Sequence, residues 1–118
     1  MTNSRQKGAL GERKFRDVLR EAGYEAKRGQ QHSGSPDSPD VISNDGICHW
    51  EVKYCGKIDI EKALQQAKGD AKQGRIPVVA FKQVRKNTPP GKAKKWVAML
   101  DMDDWLDVVK VLNVHNSL

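Results

Sequence analysis

The chain has 118 residues, of which 37% are hydrophobic, and a formal net charge of +6. This length predicts a single domain over residues 1–118 with one modest core. Two cysteines make no disulfide framework, and no apolar run approaches the roughly 18 residues of a membrane span, so we expect a cytoplasmic protein. The charge favours a polyanionic partner, although small basic domains without such a partner exist.

Hydrophobic periodicity and turn residues predict helices and strands along the whole chain. They are a helix over residues 8–22, strands over 24–28, 40–43 and 47–54, a helix from 59 to about 73, strands over 76–81 and 96–100, and a last helix after Asp101 or Asp103. Between the second and third strands, Asp45-Gly46 is a pair favoured in tight hairpin turns. The order predicts an α/β sheet with helices packed on it.

Two carboxylates lie on this predicted hairpin. Asp40 opens the second strand, and Glu51 lies in the apolar third strand. Because strand side chains alternate between faces, Glu51 and Lys53 share one face while Val52 points to the other. Two acids and an ammonium on one surface can hold a divalent cation and orient a water, as phosphodiester hydrolysis requires. The alternative is an ordinary solvated strand face, which the apolar surroundings of Glu51 disfavour.

The Pro-Asp pair occurs twice, so Asp37 competes with Asp40 for the role of the first carboxylate. Both can be turn residues. We favour Asp40 because residues 41–42 continue from it as a buried strand, whereas Asp37 is followed by further loop residues.

Glu12 is the third candidate carboxylate. On a helix that advances about 100° per residue, it lies within about 60° of Phe15 and Leu19 and so belongs to the buried stripe. A carboxylate there costs free energy unless a cation or a donor meets it. Alternatively, Glu12 reaches water near the helix start; with two other carboxylates available, the shared-metal interpretation is favoured. Gly8 and Gly11 could let this helix approach the sheet or a phosphate closely.

Two short motifs carry a resemblance to a known family. Pro39-Asp40 with Glu51-Val52-Lys53 matches the motif of the PD-(D/E)XK nuclease superfamily, and Gly11-Glu12-Arg13 matches the extra metal-binding glutamate of small Holliday junction resolvases. The chain resembles these archaeal-type resolvases and their phage relatives over roughly residues 8–84. The resemblance implies a restriction-endonuclease-like fold, in which a central mixed β-sheet of about five strands is flanked by helices.

The resemblance also implies the roles of the site residues. Glu12, Asp40 and Glu51 would bind Mg²⁺, for which Mn²⁺ could substitute. The carbonyl of Val52 would be a further ligand. Lys53 would orient or activate the attacking water and stabilise the developing phosphorane charge.

Two further positions have alternatives. Relatives carry a catalytic glutamine in the helix after the motif, and both Gln65 and Gln66 are candidates here. We prefer Gln66 because it lies toward the apolar stripe of that helix. Relatives often hold a serine in the loop before the Pro-Asp pair, which Ser33 or Ser35 could supply.

The histidines and cysteines suggest a weaker alternative. Cys48, His49 and Cys55 could form a zinc site, but their spacing matches no common zinc motif. His49 alternates with Glu51 and so can share its face. His32 is expected to be a solvated loop residue rather than a phosphate contact.

Basic residues form two groups. The group between residues 82 and 95 contains no acidic residue and surrounds a Pro-Pro-Gly tip, which favours a projecting arm that contacts phosphate, although such a run is also typical of a solvated surface. The second group lies around the first helix. The predicted DNA-binding residues are Arg5, Lys7, Arg13, Arg28, Lys82, Arg85, Lys86, Lys92, Lys94 and Lys95.

These patterns predict a Mg²⁺-dependent, structure-specific DNA endonuclease, with Holliday junction resolution in DNA recombination and repair as the favoured activity. Because a junction has two symmetric strands to cut, we expect a homodimer, with residues 96–109 as the first candidate interface. Such an enzyme would be nucleoid-associated. The alternatives are a general or restriction-type nuclease and a catalytically inactive nucleic-acid-binding protein of the same fold.

Overall fold

The computed structural model describes residues 4–29, 39–71, 74–89 and 91–113. The elements, in chain order, are α1 (Ser4–Glu21), β1 (Ala26–Arg28), β2 (Val41–Ser43), β3 (Cys48–Cys55), α2 (Ile60–Asp70), β4 (Ile76–Gln83), β5 (Val97–Met99) and α3 (Met102–Leu112). The predicted order of helices and strands is confirmed. The candidate residues His32, Ser33, Ser35 and Asp37 lie outside the described residues.

The strands form one mixed sheet of five strands in the order β1-β2-β3-β4-β5. Neighbouring strands are antiparallel except β3 and β4, which are parallel over their whole length. A parallel pair needs a crossover connection, and α2 supplies it. Strand β3 is the central strand, because it has two strands on each side.

Helix α1 covers one face of the sheet. Phe15 and Leu19 are buried there against Val41 and Val52. The Phe15 ring meets the Trp50 ring edge-on, with centroids 4.8 Å apart. Burial of an aromatic side chain such as Phe15 contributes about 1.5–3 kcal/mol to the free energy of unfolding. The α1 face therefore holds much of the modest hydrophobic core.

Helix α2 covers the opposite face. Its Ala63 and Ala67 are buried against Val79 of β4. Small residues at these positions let the helix lie close to the sheet. The predicted start of α2 is confirmed, because the Asp59 carboxylate accepts a hydrogen bond of 3.0 Å from the Lys62 amide.

The turn between β2 and β3 is organised by one carboxylate. Asp45 Oδ1 accepts hydrogen bonds of 2.7 Å from the amides of Ile47 and Cys48. Gly46 has a φ of 76°, which a side chain disfavours. This confirms the predicted hairpin and explains the Asp-Gly pair.

Some predicted bounds were wrong. Helix α1 begins at Ser4 rather than at residue 8, and α2 ends at Asp70 rather than near residue 73. Strand β4 continues to Gln83 because its last residues still pair with the end of β3.

Helix α3 lies at the periphery. Asp101 is its N-cap, but the Asp101 carboxylate pairs with Lys68 of α2 and makes no capping hydrogen bond. No residue of α3 is buried in the structure. Within the described part of the chain, no helix is long and apolar enough to span a membrane.

Candidate active site

Asp40 is held between two strands at the start of β2. Its side chain is 5% exposed, and its Oδ2 accepts a hydrogen bond of 2.7 Å from the Val52 amide. Its own amide donates to the Trp50 carbonyl at 2.9 Å, and its carbonyl accepts from the Gly29 amide at 2.8 Å. Backbone contacts from both sides therefore fix the carboxylate beside the middle of β3.

Glu51 lies next to this carboxylate and is almost completely buried, with 2% exposure. Its Oε2 is buried and has no hydrogen-bond partner among the described residues. Burial, as the larger cause, and the negative charge of Asp40 together raise the pKa of Glu51 to about 8. Two buried acids side by side are poorly stable when both are ionised, so they need a proton or a cation between them.

Lys53 supplies a positive charge at the edge of this acid pair. Its Nζ lies 3.8 Å from Glu51 Oε1, and its charge acts to lower the pKa of Glu51. The same Nζ donates a hydrogen bond of 3.0 Å to Gln66 Oε1. Between the two glutamine candidates, Gln66 is the one that the structure brings to the site, because α2 places it over Lys53.

Glu12 lies at the other side of Asp40 but is engaged elsewhere. Its Oε1 accepts a hydrogen bond of 3.0 Å from Arg28 Nε, and its side chain is 19% exposed. Burial raises the pKa of Glu12, and the charge of Asp40 raises it further, whereas Arg28 lowers it. The carboxylate therefore faces inward, as the helix periodicity predicts, but a guanidinium meets it.

Gly11 is what allows the helix to bring Glu12 so close. A Cβ atom at Gly11 would lie 2.9 Å from Cγ of Tyr54 on β3, which is closer than real Cβ contacts. The interpretation of Gly11 as a close-approach residue is confirmed. Gly8 has open space around its Cβ position, so the structure shows no close approach there.

The structure thus brings Asp40 and Glu51 together, whereas Glu12 pairs with Arg28. In the described portion of the chain, no three His, Cys, Asp or Glu side chains are close enough together to hold a metal. The acid pair nevertheless fits a cation, because Glu51 keeps an unsatisfied buried oxygen beside the charge of Asp40. The amide of Val52 bonds to Asp40, and a ligand role for its carbonyl stays a prediction.

Two contacts were missed at the sequence level. Arg28, for which DNA contact stays a prediction, pairs with Glu12 and keeps 37% of its side chain exposed. Asp70, at the end of α2, also raises the pKa of Glu51. Neither was detectable from periodicity, because both depend on how a separate element packs against the hairpin.

The zinc alternative finds no support. Cys48 and Cys55 are free cysteines, and burial together with the charge of Asp45 raises the pKa of Cys48 to about 11. In the described part of the chain no group of three His, Cys, Asp or Glu side chains, Cys48, His49 and Cys55 included, is arranged to hold a metal. His49 is buried, at 2% exposure.

The predicted DNA-binding residues occupy two places. Arg13 is exposed on α1, and Lys7 is half-buried there; the side chain of Arg5 is outside the described atoms. Most of the other cations lie on the connection between β4 and β5, where they are exposed.

A scan against protein-family models gives no match for this chain, and a search of curated proteins gives none either.

The acid pair predicts how stability depends on pH without divalent cations. Between the ordinary pKa of 4.5 and the folded value of about 8, the folded protein holds a proton on Glu51 that the unfolded chain has released. The free energy of unfolding therefore falls as the pH rises through this range and levels off above it. We expect Glu51→Gln to remove this loss and to stabilise the protein above about pH 8 by on the order of a few kcal/mol.

Urea unfolding at several pH values in EDTA measures this effect. Glu21→Gln, an exposed change on α1, is the matched control and should follow the wild-type profile. Identical pH profiles for Glu51→Gln and wild type would show that the acid pair is not strained in solution.

Proposed function

We propose that this protein is a metal-dependent DNA endonuclease of the PD-(D/E)XK type, with branched DNA as its substrate. The observation that supports it most is the buried Asp40–Glu51 pair with the Lys53 ammonium 3.8 Å from Glu51. The pair has the chemistry that holds a divalent cation. The Lys53 ammonium adds a positive charge that stabilises the negative charge developing on the phosphate oxygens during cleavage.

Each residue then has a role that follows from its contacts. Asp40 and Glu51 would hold Mg²⁺ or Mn²⁺, which when bound polarises the phosphate and lowers the pKa of a bound water. Lys53 stabilises negative charge that builds on the phosphate oxygens. Gln66 orients the Lys53 ammonium through their 3.0 Å hydrogen bond and so acts as a positioning residue.

Glu12 has a conditional role. The resemblance makes it a third metal ligand, whereas in the structure it pairs with Arg28. A ligand role requires this carboxylate to leave Arg28, which would free the guanidinium for a phosphate. In the proposed mechanism Glu12 would exchange Arg28 for the metal, and Arg28 would exchange Glu12 for a phosphate of the substrate.

The substrate proposal depends on charge. The net charge is +6, and no acidic residue occurs between Asp70 and Asp101. Phosphate contacts of this kind select DNA by shape rather than by base sequence. Holliday junction cleavage is the favoured activity because of the resemblance, and a general nuclease is its alternative.

The homodimer proposal has support from the peripheral helix. The large apolar residues exposed on α3 are Met102, Trp105, Leu106, Val111 and Leu112. Val97 of the edge strand β5 is also exposed, at 48%. Exposed apolar groups concentrated on one helix and an adjoining edge are typical of an interface.

One observation favours a second candidate function. Because Arg28 neutralises Glu12 and the described acids form no three-residue cluster, the chain could bind nucleic acid without cutting it. A cleavage panel of junction, flap, duplex and single-stranded DNA, with Mg²⁺ and with EDTA, separates the two functions. Binding to every substrate without any cleavage would establish the inactive alternative.

Asp40→Asn should lower the cleavage rate on the order of 10²-fold or more while sparing DNA affinity. The amide oxygen of Asn can still accept the Val52 hydrogen bond, so the fold is kept while the charge is lost. Junction cleavage and binding in EDTA are the measurements. Asp103→Asn, on the exposed surface of α3, is the control and should cleave normally. Cleavage by Asp40→Asn at the wild-type rate would show that Asp40 does not hold the metal.

Glu12→Gln should also lower cleavage strongly, because Gln can accept from Arg28 but cannot supply a metal-binding charge. Single-turnover cleavage is the measurement, with circular dichroism to verify folding. Glu21→Gln on the same helix controls for loss of one negative charge. Normal activity of folded Glu12→Gln would restrict Glu12 to its ion pair with Arg28.

Leu106→Gln should shift the protein from dimer to monomer if α3 forms the interface, since it removes apolar area and adds a polar group. Sedimentation velocity at micromolar concentration measures the shift. Lys110→Gln, an exposed change on the same helix, is the control and should leave assembly unchanged. A monomeric wild-type protein would contradict the dimer proposal.

A further inference from the structure

The connection between β4 and β5 folds around a cavity. The cavity has a volume of about 470 Å³. The described residues that line it include four cations, Arg85, Lys86, Lys92 and Lys94, and no acidic residue, so the potential inside is positive.

The shape of this cavity is set by hydrogen bonds within the connection. Thr88 Oγ1 donates to the Arg85 carbonyl at 2.8 Å, and the Lys92 amide donates to the Pro89 carbonyl at 3.0 Å. Asn87 has a φ of 59°, a left-handed conformation that asparagine tolerates better than most residues. These contacts curl the segment so that cations separated in sequence line one space.

The cavity is tied to the strand that carries Lys53. Gln83 Nε2 donates to the Gly56 carbonyl at 3.1 Å, and the Val84 amide donates to the Cys55 carbonyl at 3.0 Å. Gly56 suits this tight approach, because a Cβ atom there would lie 3.2 Å from the Val84 carbonyl oxygen. The base of the connection is therefore hydrogen-bonded to Cys55, the last residue of β3, and to Gly56, the residue after it.

The lining determines what kind of group can occupy the cavity. Its volume lies in the range of about 300–1,000 Å³ typical of small-ligand sites, which exceeds the need of a single ion. Among the described residues no aromatic side chain lines it, so these residues offer no surface on which a base could stack. Ammonium and guanidinium groups with a hydroxyl and an amide are suited to phosphate and sugar oxygens.

We infer that this cavity binds a sugar-phosphate unit of the DNA backbone, at a position distinct from the phosphate that is cut. The inference rests on the proposed DNA substrate but not on cleavage. A backbone unit held here is fixed relative to β3 through Gln83 and Val84. The cavity thus positions the strand for Lys53 without reading its bases.

Two exposed lysines provide a matched test. Lys94 lines the cavity, whereas Lys110 lies on α3, does not line the cavity and carries the same charge. Binding of a labelled DNA duplex to full-length protein is measured in EDTA at several salt concentrations. We expect Lys94→Ala to weaken binding and to lower the log–log salt slope by about 0.9, the value for one phosphate contact, and Lys110→Ala to leave the slope unchanged.

The outcomes separate the cavity from the catalytic proposal. Equal slope changes in the two variants, or no change in either, overturn the cavity as a phosphate site, as does absence of DNA binding by the wild type. A contrast between Lys94→Ala and Lys110→Ala in a protein that cuts no DNA supports the cavity and removes the nuclease. Thermal unfolding of both variants verifies that the exposed changes leave the fold intact.

Discussion

The hydrogen bond from the Val52 amide to Asp40 Oδ2 is the contact on which the candidate site depends. It draws a carboxylate at the start of one strand onto the backbone of the next, where Glu51 is already buried. The two acids then share a space that water reaches poorly. This raises the pKa of Glu51 to about 8 and creates a local demand for positive charge. A site with that demand is destabilised when empty of cations and gains stability when it binds one.

Two of the three candidate acids are each paired with a cation. On the α2 face, Lys53 approaches Glu51 and is held by Gln66. On the α1 side, Arg28 pairs with Glu12, whose helix lies close to the sheet at Gly11. The two cations come from separate strands, and each keeps about a third of its side chain exposed.

The peripheral parts of the molecule present an apolar and a basic surface. Helix α3 carries apolar residues that nothing in the described structure buries, and Lys68 pairs with its cap residue Asp101. The connection between β4 and β5 gathers cations around a cavity, with its base hydrogen-bonded to the end of β3. Both surfaces are thus joined to the sheet that holds the acid pair, and the proposed dimer and the proposed DNA contact would each use one of them.

Periodicity and turn chemistry by themselves determined most of the fold. The stripe containing Phe15 and Leu19, the Asp45-Gly46 turn and the Asp59 cap are local signals, and each has the predicted structure. The hairpin also determined that Asp40 and Glu51 would be neighbours, because strand alternation and a tight turn leave little freedom. Only the tertiary structure decided that Arg28 meets Glu12, that Gln66 rather than Gln65 reaches Lys53, and that the cations after β4 line a cavity. Those contacts depend on the tilt and depth of one element against another, which no sequence spacing specifies. Packing distances decide them, as the space that Gly11 leaves for Tyr54 shows.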